Sequence, residues 1–208
     1  YGKPQKSNTL FCMTIQACFT GVEKQVCEEL RAWSAHALEK PNEFFNDLPA
    51  CPFAKAAWAQ DKVGVTFNYG SCKQSLYTLI SQYPNELDVC LLVDFDYCKE
   101  PEEFHYYLGQ LNKAVANGMF IDKDIWLMGF HPDDEPEEQG YGEAVFDQEF
   151  DGLTDAMYAV TYVQRLSKLE ESAETLRAKG YYLSYADNKD VMELYSQRKN
   201  LYRGLKHG

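Results

Sequence analysis

Apolar residues recur along the chain with two different periods. Val63, Val65, Phe67 and Tyr69 alternate with other residues, the spacing of a half-buried strand. Val89 to Phe95 (Val-Cys-Leu-Leu-Val-Asp-Phe) is apolar almost throughout, as a central strand is. Ile125 to Phe130 reads as a third strand, and Leu10 to Ile15 as one more near the start. Between them the period lengthens to that of a helix. Val22, Val26, Leu30, Trp33 and Ala37 form one stripe, opened by Thr20 and Glu23 at capping-box spacing. Cys72, Leu76, Leu79 and Ile80 form a second, stopped by Pro84. Phe104, Leu108, Leu111 and Val115 form a third. It is opened by Pro101-Glu102-Glu103 and closed by Asn117-Gly118. Beyond residue 153 the pattern predicts helices. One starts at Thr154, carries Val160, Val163, Leu166, Leu169, Ala173 and Leu176, and ends at Gly180. A last one starts near Asp190 and ends in basic residues, which suits a helix C-terminus.

Strands separated by helices predict an α/β (or α+β) fold: a small central sheet, flanking helices and a helical C-terminal third. The pattern leaves parallel and antiparallel pairing open. It predicts a single domain over residues 1–208. The core spans about 10–132, an acidic loop 133–152 and a helical extension 153–208. Residues 133–151 hold nine Asp or Glu and no Lys or Arg.

Composition narrows the function classes. The net charge is −12, which repels a phosphate backbone, so nucleic acid is not an expected partner. No run reaches the roughly 18 apolar residues of a membrane helix, and no secretory signal is visible. The seven cysteines are odd in number, with no Cys-x-x-Cys, and Cys12, Cys18 and Cys90 sit in apolar runs. A reducing, cytoplasmic setting is the expectation.

Two strings carry candidate chemistry. In Cys51-Pro52-Phe53-Ala54 a thiol precedes a proline able to open a helix, and a helix N-terminus lowers a thiol's pKa. In Phe130-His131-Pro132-Asp133-Asp134-Glu135 an imidazole follows a buried strand and precedes acids. The first string is similar to the active-site opening of omega-class glutathione transferases. In thioredoxin-like folds, however, a strand leads into that cysteine, and here Asn46-Asp47-Leu48-Pro49 does. The second resembles the zinc motif of de-N-acetylases acting on N-acetylglucosamine conjugates. That resemblance implies zinc on His131 and Asp134 with Asp133 as base, but the only later histidine is His207. Taken together over residues 48–171, the two strings look like an uncharacterised bacterial domain-of-unknown-function family. Its motifs are Cys-Pro-Phe/Trp-Ala and Phe-His-Pro, and Arg165 stands at its arginine position. That likeness links the cysteine to the histidine and implies no known reaction.

Three readings follow. The first is an enzyme acting on a small molecule, with a Cys51 thiolate, His131 as acid or base and Arg165 holding an anionic substrate. The second is a metal protein using Cys51 and His131 with Asp133, Asp134 or an aspartate of the central strand, for zinc, iron or a divalent cation. The third is a non-catalytic module that binds a protein partner or a second copy through its aromatic surface. Asp94 and Asp96 close the central strand, where α/β sheets bind ligands.

Overall fold

The computed structural model describes residues 20–70, 72–120, 124–134 and 156–207. Helix α1 (Gly21–Trp33) starts with the expected capping box: Thr20 and Glu23 satisfy each other's backbone N–H. Such a cap contributes about 1 kcal/mol. Burying a side chain such as Leu30 or Trp33 contributes about 1.5–3 kcal/mol, so packing dominates. Val26, Leu30, Trp33 and Ala37 are buried, but Val22 projects beyond the core and is exposed. The helix runs on into a π-helical turn, Ser34–Leu38. A small hairpin follows, β1 (Pro41–Asn42) with β2 (Leu48–Pro49), whose tip holds Asn46 and Asp47 in the left-handed region. Short helix α2 is Ala54–Ala59.

The main sheet contains β3 (Val63–Asn68), β4 (Val89–Asp94), β5 (Trp126–Phe130) and β6 (Ala159–Gln164). The spatial order is β3-β4-β6-β5. β3 and β4 are parallel, and β6 runs antiparallel to both of its neighbours, β4 and β5. Helix α3 (Cys72–Ser81) follows β3, and α4 (Pro101–Ala116) follows β4. Helices α5 (Leu166–Ala178) and α6 (Lys189–His207) complete the described chain.

The fold class is thus α/β, with one correction inside the C-terminal third. Residues 159–164, expected within a helix, form β6, an inner strand of the sheet. Val160, Val163 and Leu166 fit a helical stripe, but Ala-Val-Thr-Tyr-Val is rich in β-branched and aromatic residues, which favour a pleated surface. The helix begins only at Leu166. The expected strand at Leu10–Ile15 and most of the acidic loop lie outside the described residues.

Alternation along the strands divides the core in two. Val89, Leu91, Val93, Val160 and Phe130 face the side of α1 and α2. Cys90, Leu92, Leu127, Ala159 and Val163 face α3 and α4, against Leu76, Ile80, Phe104 and Leu108. Gly129 permits the second packing: a Cβ there would lie 2.5 Å from the Phe104 ring and 2.4 Å from Leu108. Asn112 of α4 bonds both the C=O and the N–H of Leu127, at 2.8 and 3.0 Å. It thereby caps part of the sheet edge that β5 would otherwise present. Buried Glu170 of α5 accepts from Arg198 of α6 at 2.5 Å and fastens the last helix.

Candidate functional site

The strand register decides which polar residues share a neighbourhood. Asn68 pairs with Asp94, and Asp94 with Ala159. Phe130 pairs with Val160, so the next residue, His131, stands beside Ala159. The row at the carboxyl ends of β3, β4 and β5 therefore reads Asn68, Asp94, Ala159, His131, on the α3–α4 side. Asp94 and His131 are two strands apart, about 10 Å between backbones.

At the His131 end the ring nitrogens and both Asp134 oxygens are used. The ring is buried, packed against Phe104 and edge-on to Tyr97. Nε2 lies 2.7 Å from the Cys98 carbonyl, which can only accept. Nδ1 accepts the Asp133 N–H at 3.1 Å. These partners assign the Nε2–H tautomer and leave neither nitrogen a spare lone pair. Asp134 accepts the His131 N–H at 2.8 Å through one oxygen and faces His105 Nε2 at 2.7 Å through the other. The Phe-His-Pro-Asp-Asp string thus ties the end of β5 to α4 and to the loop before it. His131, Asp133 and Asp134 were expected to supply metal ligands. Instead the His131 ring and the Asp134 carboxylate are spent on the turn, the Asp133 carboxylate points to solvent, and no group of three or more His, Cys, Asp or Glu placed to hold a metal occurs among the described residues.

Cys51 is on the other side of the sheet. Its N–H donates to Leu38 O at 2.9 Å. The flanking Ala50 and Phe53 pack on the α1-side core, as does Tyr162 of β6. Tyr181 donates to Ala50 O at 2.6 Å. Burial pushes the Cys51 thiol up to about 12; the Phe53 and Ala54 N–H groups pull it down only in part, and Glu39 adds to the rise. The sequence led to a lowered value. The reversal comes first from burial, which outweighs the Phe53 and Ala54 N–H groups; Pro52 falls in a turn rather than in the helix, and α2 is only six residues long. Cys51 and His131 do not meet, because they belong to cores separated by the sheet.

Arg165 lies at the opposite end of β6 from the His131 row, about 20 Å along the strand. Its guanidinium donates to Leu87 O at 3.0 Å and Pro84 O at 2.7 Å and stacks on Tyr83. It clamps the turn before β4. The three residues expected to form one catalytic group therefore occupy three separate structural positions.

The β3–β4 end of the polar row differs. Asp94 is 1% exposed. Its Oδ1 accepts from Asn68 Nδ2 at 2.6 Å and from the Asp96 N–H at 3.0 Å. Its Oδ2 is buried and has no hydrogen-bond partner among the described residues. Asn68 is held in turn: its Oδ1 accepts from Ser75 of α3 at 2.6 Å, and its Nδ2 also reaches Gly70 O at 2.8 Å. On the opposite face of the same edge, Tyr69 stacks on Phe95, with centroids 5.0 Å apart and planes 8° apart. Tyr69 donates to Glu23, and Tyr158 donates to Glu29.

A second polar cluster carries no sequence motif. Ser34, in the π-helical turn, donates to Glu39 at 3.1 Å and accepts the Trp58 indole N–H at 2.9 Å; Arg31 pairs with Glu39 at 2.5 Å. The π-turn that assembles it has no local motif. Its carboxylate oxygens are all partnered, so it closes a structural corner beside Cys51.

No protein-family model matches the chain, and no curated protein or solved structure matches it.

Proposed function

We propose that the protein binds a small polar molecule at the carboxyl edge of β3 and β4, with Asp94 Oδ2 accepting a hydrogen bond from the ligand. The observation that carries this reading is the bare oxygen itself. Leaving a buried acceptor without a donor costs about 1–3 kcal/mol, and more for a charged group. Asn68 and Asp96 hold the carboxylate in one orientation and spend only Oδ1. The carboxyl ends of parallel strands are the place where α/β sheets take ligands. A Cys51–His131 nucleophile–base pair lacks the contact that chemistry needs, and the Cys51 thiol is shifted away from thiolate. The binding reading requires neither.

Fragment mapping by NMR tests the proposal. Among polar fragments that bind, the amides of Asn68, Asp94, Asp96 and Ser75 are expected to shift most. Shifts centred instead on Cys51, Tyr162 and Tyr181 would move the site to the other face and overturn the assignment.

A further inference from the structure

Resting on that reading, we infer that the ligand presents a protonated amine to Asp94. Among the described residues no Lys, Arg or His side chain pairs with this carboxylate, and both donors to Oδ1 are neutral. The N-terminus of α3 lies near through Ser75, but a helix dipole offsets only about 0.3–1 kcal/mol. A hydroxyl ligand would fill the hydrogen bond and leave the buried charge uncompensated; an ammonium does both. A divalent cation fits poorly, because hard cations take six or more oxygens and, among the described residues, no group of three or more His, Cys, Asp or Glu stands here. A net charge of −12 draws cations toward the surface in general. Asp94 is 1% exposed, so the recognised head is compact: a primary ammonium rather than a trimethylated one.

The test is thermal unfolding of wild type and Asp94→Asn with ammonium chloride, methylamine hydrochloride, 3-amino-1,2-propanediol hydrochloride, glycerol and sodium chloride, at matched ionic strength. Asparagine keeps an acceptor for Asn68 and Asp96 and removes the charge. The expected result is a rise of about 4 °C or more in wild type with at least one amine at saturation, absent in the variant and absent with glycerol or sodium chloride. Stabilisation by glycerol that the variant loses would keep the site and overturn the ammonium. Equal amine effects in both proteins, or none in either, would also overturn it. If the variant fails to fold by far-UV circular dichroism, amine titration of wild type followed at the Asp96 amide decides: a saturable shift supports the inference and a flat response refutes it.

Discussion

His131 and Asp94 occupy one row of one sheet edge, both buried, yet they have opposite hydrogen-bond states. His131 belongs to a recognisable motif and has every polar atom satisfied. Asp94 belongs to no motif and has an oxygen without a hydrogen-bond partner among the described residues. The contrast teaches that a reactive residue type marks a site only where its bonding capacity is left over. A histidine whose two nitrogens are fixed by a carbonyl and an amide works as a rivet. A carboxylate held by one oxygen and open at the other is kept at a cost, and that cost calls for a partner.

The largest expected effect concerns Cys51, the other half of the sequence motif pair. A thiol pushed up to about 12 is thiolate at pH 8 in only about one molecule in 10⁴, against roughly a quarter for an ordinary thiol. Its iodoacetamide labelling at pH 8 should be on the order of 10³-fold slower than that of an exposed cysteine peptide. The rate should climb about tenfold per pH unit toward 12. Labelling as fast as the peptide would restore Cys51 as a nucleophile. The same shift has a stability consequence. A thiol whose folded value is raised binds its proton more tightly in the folded state, so its contribution is complete below about 9 and is lost as pH rises to about 12. Cys90, also pushed up by burial to about 12, acts in the same direction.

Next in size is His131→Ala. It removes a buried ring and strands the Cys98 carbonyl and the Asp133 N–H, so urea denaturation should show a loss of about 2–4 kcal/mol. A stability change under about 0.5 kcal/mol would mean that the residue is held in place for chemistry rather than for the turn. The smallest effect is expected for His105→Gln. That pair with Asp134 is partly exposed and should contribute about 0–1 kcal/mol, shrinking further in high salt. A loss as large as that of His131→Ala would show that the whole turn hangs on the exposed pair.

Much of the frame was legible in the residues. The capping box at Thr20, the continuous apolar run of β4 and the Pro101 opening of α4 each depend on neighbours within a few positions, and each forms as expected. β6 was not legible, because a helical stripe and a strand face coincide at Val160 and Val163, and only its slot between β4 and β5 decides between them. The site followed the same logic. Phe130 faces the α1 side, so strict alternation already sends His131 to the other side. Cys51, by contrast, reaches its core through a hairpin whose path no local pattern states. Asp94 was readable as the end of a central strand. That Oδ2 lacks a donor depends on where Asn68 and Asp96 came to rest, and no string of residues encodes that.

The central claim is that Asp94 is retained for a ligand and not for the fold, and urea denaturation of Asp94→Asn beside wild type tests it most directly. The variant is expected to stay within about 1 kcal/mol of wild type or to be more stable, because removing the uncompensated buried charge offsets the buried amide N–H groups left without an acceptor, while both Oδ1 bonds keep an acceptor. A loss of about 2 kcal/mol or more, matching His131→Ala, would make Asp94 a second rivet and contradict the account.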